Sequence, residues 1–183
     1  MTPNLSKYNN NWYKPGKSKF TILIWYCLNA VFLNTYFLPI SSFKIFLLKL
    51  FGAKIGRGVV IKPKVNIKYP WNLEIGNFSW IGEEVWIDNL DNIKIGNNCC
   101  VSQGAMLLCG NHNYKKTTFD LVTKPITLQD GSWVGAKAIV CPGITLEENS
   151  ILTVGSVANT NLNSNEIFQG NPAKKIKERR IES

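Results

Sequence analysis

The chain has a single histidine, His112, set in the run Cys109-Gly110-Asn111-His112-Asn113-Tyr114. An imidazole, with an ordinary pKa of about 6.5, can take a proton near neutral pH and hand it on. His112 is therefore a candidate general base for a reaction in which a hydroxyl becomes a nucleophile. Its neighbours Asn111 and Asn113 are candidates for holding the group that reacts, and Cys109 offers a thiol as the competing nucleophile. A base acting directly needs no such thiol. One histidine is too few for a zinc site, and no ligand spacing accompanies it, so no metal is expected. The five cysteines, Cys27, Cys99, Cys100, Cys109 and Cys141, form no CxxC pair. They read as reduced, mostly buried or corner residues of a cytosolic protein. A lone histidine is also an ordinary surface-loop residue, so its meaning depends on what holds it.

What holds it is a repeat of six. The stretch LQDGSW VGAKAI VCPGIT LEENSI LTVGSV opens each block with an aliphatic residue: Leu128, Val134, Val140, Leu146, Leu152. The fifth place is Ser132, Ala138, Ile144, Ser150, Ser156, small in four of five. Neither a helix of period 3.6 nor a strand of period 2 produces this phase. A chain that turns a corner every six residues does, with one apolar side chain per side pointing into a narrow core. That is the signature of a parallel β-helix. Carried backwards, the phase runs through Ile55, Ile61, Ile67 and Leu73, slips to Ile75, Ile81 and Ile87, then slips to Ile95, Val101 and Leu107. The slips near 74 and 93 suggest bulges or wider corners. The largest break lies between Leu107 and Leu128, an interval of 21 residues, and His112 sits at its root. Loops on rigid scaffolds commonly carry function.

These blocks resemble the hexapeptide-repeat acyltransferases, and most closely the colanic-acid type that O-acetylates sugars of bacterial surface polysaccharide. Nodulation-factor and galactoside acetyltransferases are relatives. The matching runs are VWIDNL at 85 to 90, IGNN at 95 to 98, VSQGAMLLCGNHNY at 101 to 114, KPITLQDGSWVGAKAIVCPG at 124 to 143 and GNPAKKIK at 170 to 177. The resemblance implies a left-handed winding, acetyl-CoA as co-substrate, a homotrimer as the working unit, and His112 as the catalytic base. It implies coenzyme A in a groove between two β-helices, beside Trp133, Gly135, Ala136, Lys137, Thr153 and Val154. Trp133 can equally be interface packing. Lys174 and Lys175 could meet the nucleotide phosphates or be a solvated helix face. One departure matters: where galactoside-type relatives place an acceptor-holding Asn, this chain has Gly82. The polar candidates nearby are Asp88 and Asn89, which could instead form a corner turn.

The ends complete a single domain: residues 1–54 an arm and capping helices, 55–160 the β-helix with an active-site loop over 108–127, and 161–183 a polar loop and a basic helix. The segment before residue 20 is polar, a loose arm or a surface strap. Phe20 to Phe43 carries no charge, and its length would serve a cap, a membrane contact or a span. Asn29, Asn34 and Pro39 favour a cap. Ser41 or Ser42 is expected to cap a helix over Phe43–Phe51, with Lys44 and Lys49 on its wet side and Gly52 ending it. Asn171-Pro172 reads as the start of a closing helix. The net charge of +9 suits an anionic ligand or surface, while no nucleic-acid motif is present. The expectation is a cytoplasmic acetyl-CoA-dependent O-acetyltransferase acting on a sugar or glycolipid acceptor, peripheral at most on the inner membrane. Alternatives are a small-molecule or xenobiotic acetyltransferase, an N-acyltransferase on a nucleotide sugar, or a non-catalytic β-helix scaffold.

Overall fold

The computed structural model describes residues 2–182. Three parallel sheets wrap one core, and their inward residues stand in straight rows. Sheet I aligns Ile55, Ile75, Ile95, Leu128 and Leu146. Sheet II aligns Ile61, Ile81, Val101, Val134 and Leu152. Sheet III aligns Ile67, Ile87, Leu107, Val140 and Ala158. Each of these side chains is buried, and burying one aliphatic side chain is worth roughly 1.5–3 kcal/mol. The small fifth residues Ser132, Ala138, Ser150 and Ser156 are buried at the corners, as is Ile144.

Coil strands are two or three residues long because the rest of each six makes a corner. The corner from sheet I to sheet II repeats a left-handed residue at Gly58, Phe78, Asn98, Gly131, Asn149 and Asn165. Gly and Asn tolerate that conformation best. Asparagine and aspartate then tie successive coils together. The Asn97 and Asp130 carboxamide and carboxylate oxygens accept from the backbone N–H of Asn77 and Asn97, both at 2.8 Å.

Every interruption of the six-residue phase falls at the corner from sheet III to sheet I. Ile67 to Ile75 and Ile87 to Ile95 are steps of eight, and the first holds a 3-10 turn over Pro70–Asn72. Leu73, which the sequence reading counts as an in-phase opener, pairs with Ile93 instead, and Ile75 continues the row. Residues two apart on a strand share a face, so both are buried.

The first coil has an open edge, and the N-terminal segment closes it. Helix α1 (Lys19–Leu28) runs into a π-helical turn over Asn29–Leu33, and helix α2 (Ser41–Leu50) follows. The Trp25 indole N–H donates to Ile67 O at 2.8 Å, and the Ile67 N–H donates to Asn29 Oδ1 at 3.3 Å. The Ile61 N–H donates to Ser41 Oγ at 2.8 Å. Unpaired strand groups are thereby covered, as sheet edges require. The uncharged run is thus two short helices and a turn, and none of the described helices is long and apolar enough to cross a membrane.

Three expectations for the ends are corrected. Lys44 does not lie on a wet side: it is buried, its Nζ donates to Lys62 O at 2.8 Å, and burial pushes its ammonium pKa down. Ser41 is the first residue of α2 and its hydroxyl serves the coil rather than the helix end. The closing basic helix is a β-hairpin. Strand Glu166–Gly170 pairs in parallel with Ile151–Leu152 of sheet II, and strand Ala173–Glu178 returns antiparallel to it. The free edge of the last coil templates these strands, and Phe168, buried over Leu152, anchors them. Asn171-Pro172 is the turn between them.

Candidate active site

The long interval after Leu107 folds into a two-stranded hairpin at the corner from sheet III to sheet I. Gly110–His112 pairs antiparallel with Leu121–Thr123, setting His112 opposite Leu121. Its root is fixed by buried Cys109, whose N–H donates to Asp88 O at 3.2 Å and whose carbonyl accepts from the Lys124 N–H at 3.0 Å. Gly110 lies close under Leu90, whose Cδ1 would stand 2.5 Å from an added Cβ.

The imidazole of His112 is oriented from two sides. Its ring stacks on Phe119 with centroids 4.4 Å apart and planes 7° from parallel, and Tyr8 lies across it at 5.7 Å. Its Nδ1 is 2.9 Å from the Phe119 carbonyl oxygen. A carbonyl can only accept, so this bond places the proton on Nδ1 and leaves the Nε2 lone pair as the basic site. Cys109 is a poor rival, because burial pushes its thiol up to about 12 and keeps it protonated.

His112 lines a cleft of about 820 Å³ whose walls come from the hairpin, the first two coils, with Lys68 and Tyr69 from the first, and the N-terminal strap. The hairpin gives Asn111 and Leu121, the second coil Asp88 and Leu90, and the N-terminal strap Tyr8, Asn10, Asn11, Tyr13 and Lys14. The strap is pinned at several points. The Asn4 N–H donates to Thr117 O at 2.7 Å, the Tyr13 hydroxyl to Leu90 O at 2.6 Å, and the Trp71 indole to Pro15 O at 2.5 Å. Sequence reasoning missed these residues, since a polar segment without periodicity shows no target. The only local signal was the aromatic group Tyr8, Trp12 and Tyr13 among the asparagines.

The other expected acceptor residues divide. Asp88 faces the cleft and pairs with Lys68 at 2.8 Å. Asn89 does not: it is fully buried, its Oδ1 accepting from the Tyr69 N–H and its Nδ2 donating to Tyr69 O. It is a corner residue that locks one coil to the next. Asn111 lines the cleft while its Oδ1 accepts from the His112 N–H at 2.8 Å. The Asn113 Oδ1 accepts from the Lys115 N–H within the hairpin turn, outside the cleft lining. Gly82 stands where a Cβ would be 2.8 Å from the Gln103 nitrogen, so the backbone of the next coil excludes an Asn there.

The residues expected at coenzyme A gather at a different corner, between sheets II and III. Ala136, exposed Lys137, Thr153 and exposed Val154 occupy it on successive coils. Gly135 beneath them is buried, and a Cβ would approach Val154 N to 2.6 Å, so its role is close coil packing. Trp133 lies outward on sheet II, its indole N–H donating to Ser102 Oγ at 2.8 Å. The hairpin brings Lys174 opposite Gln169, next to Thr153, whose N–H donates to Phe168 O. Lys175 is held by Glu166 and Glu178 rather than free.

No family model matches the chain. A protein assigned to colanic acid biosynthesis in Escherichia coli, the acetyltransferase WcaF, is 33% identical over 164 residues, covering 90% of each chain. A hexapeptide-repeat acetyltransferase of Vibrio cholerae superposes with a TM-score of 0.80 at 16% identity, over 91% of this chain and 96% of that one. A galactoside acetyltransferase solved in complex with coenzyme A superposes with a TM-score of 0.76 at 22% identity, over 88% and 82%. Fold, repeat and full-length similarity agree, and the chain belongs to the hexapeptide-repeat acetyltransferases, left-handed parallel β-helix acyltransferases, within their colanic-acid-type branch.

Proposed function

We propose that the protein transfers an acetyl group from acetyl-CoA to a sugar hydroxyl during assembly of a bacterial surface polysaccharide, with His112 as general base. The observation that carries this reading is the fixed tautomer of His112 at the wall of a cleft. The acceptor hydroxyl attacks the thioester carbonyl as Nε2 takes its proton. The tetrahedral intermediate then collapses, the carbon–sulfur bond breaks, and His112 returns the proton to the departing thiolate. Neither an acyl-enzyme nor a metal enters these steps. In this reading Asp88, Asn111 and the strap's Asn10 and Asn11, which line the cleft, hold ring hydroxyls, with Tyr8 as an aromatic platform.

The working unit in this reading is a homotrimer with shared sites. His112 and the coenzyme A corner lie at opposite ends of the short strands of sheet III, and in this reading a neighbouring chain supplies the missing half of each site. The outward row of sheet II supports such packing, because it reads Val60, Trp80, Cys100, Trp133, Ile151 and Ile167 without a charge. The test is mass spectrometry of products after incubation with acetyl-CoA and a panel of mono- and oligosaccharides. Acetylated sugar that disappears with His112→Ala is expected. Acetylation of amines or non-sugar alcohols alone would overturn the acceptor class.

A further inference from the structure

More than half of the large apolar side chains exposed among the described residues fall within residues 20–50. The inner face of this cap is fully used on the first coil, through Trp25, Asn29, Ser41 and Lys44. Its outer face presents Phe20 and Leu23 from α1, Phe37 and Ile40 from the connecting turn, and Phe46 and Leu50 from α2. Phe37 is 89% exposed and Leu50 67%. The two helices form one surface, since Phe32 packs on Phe43 and Trp25 on Phe51. An apolar face of this extent marks an interaction site.

Charge says what covers it. The first 73 residues hold eleven of the 21 Lys and Arg and none of the 12 Asp and Glu. The remainder of the chain is slightly acidic, ten cations against twelve anions, so the whole positive surplus sits in the N-terminal strap, the cap and the first coil. Lys17, Lys49 and Lys62 are exposed there and have no acidic partner among the described residues. An apolar face in a basic setting is the pattern of helices that lie in a membrane interface with anionic headgroups. We infer that the outer face of α1, α2 and their connecting turn docks on an anionic lipid bilayer, with Phe37, Phe46 and Leu50 entering the headgroup boundary and Lys17, Lys49 and Lys62 meeting the headgroups. The helices are too short to cross, so the contact is peripheral. A groove beside α1, lined by Tyr26, Asn29 and Trp86, shares Lys68, Tyr69 and Asp88 with the cleft of His112, which links the docked face to the site.

The test is flotation of the full chain with vesicles of phosphatidylcholine alone or with added phosphatidylglycerol, alongside light scattering and thermal melting. Binding to the phosphatidylglycerol vesicles, weakened by salt, is expected. Lys17→Gln/Lys49→Gln/Lys62→Gln and, separately, Phe37→Ser/Phe46→Ser should each weaken it at least about tenfold without moving the melting temperature or turnover on a soluble sugar. Absence of flotation with either vesicle, or unchanged flotation of both variants, overturns the inference. Association of caps from two assemblies in light scattering, abolished by Phe37→Ser/Phe46→Ser, would give this face to a second copy and also overturn it. Because binding is read without acetyl-CoA, failure here leaves the acetyl-transfer reading untouched.

Discussion

At His112 the proposed chemistry rests on one bond and one stack. Removing the imidazole with His112→Ala should lower turnover by at least about a hundredfold, the usual scale for a general base, while coenzyme A binding measured by calorimetry persists. Near-normal turnover would remove His112 from the mechanism. Cys109→Ala, by contrast, should keep nearly full activity, since the thiol is buried and protonated. Inactivation of that variant at unchanged melting temperature would revive a thiol nucleophile. His112 was legible in the sequence because it is unique and stands where the six-residue phase breaks. Phe119, which fixes its tautomer through a main-chain oxygen, was not, because any residue type supplies a carbonyl. Asn89 stayed open between an acceptor role and a corner turn for a related reason. Its amide matches a sugar-binding role in type, and only burial against Tyr69 shows that its hydrogen bonds are already made.

At the scale of elements, the coils were readable and the additions to them were not. A strict period of six encodes a corner in every block, so the inward rows follow from the aliphatic openers. The strap, from Asn4 to Pro15, has no period, and its place depends on distant partners such as Leu90 and Trp71. Its tyrosine nearest the base, Tyr8, gives a specific expectation. Tyr8→Ala should raise the KM for the sugar several-fold more than the KM for acetyl-CoA, and equal effects on both would dismiss the strap as an acceptor wall. The closing hairpin was misread as a helix because Lys, Glu and Ile serve either structure locally. What decides is the open edge of the last coil, which pairs with Ile167 and Phe168. Phe168→Ala should therefore destabilise the fold by about 3 kcal/mol, the usual cost of removing a buried aromatic ring, seen as a lower midpoint in urea unfolding. An unchanged midpoint would mean that the hairpin is not part of the cooperative core.

At the scale of the whole molecule, the proposed base and the proposed donor corner lie on different corners of one β-helix. His112 projects at the corner from sheet III to sheet I, while Ala136, Lys137, Thr153 and Val154 occupy the corner from sheet II to sheet III. If the site is shared, a base from one chain works with a donor corner from its neighbour, and the two can be damaged independently. His112→Ala removes the base, and Ala136→Trp blocks the donor corner with a bulky ring. Each variant alone should be inactive as a trimer. Co-expressed in equal amounts, they form mixed trimers in which some interfaces pair an intact base with an intact corner. Random assembly in a ring with head-to-tail interfaces makes about a quarter of the sites whole, so activity should return to about that fraction of the wild-type value. Native mass spectrometry would verify that mixed trimers have formed. Mixed trimers with no activity would place base and donor corner in the same chain's site, and a fully active monomer in light scattering would end the shared-site reading altogether.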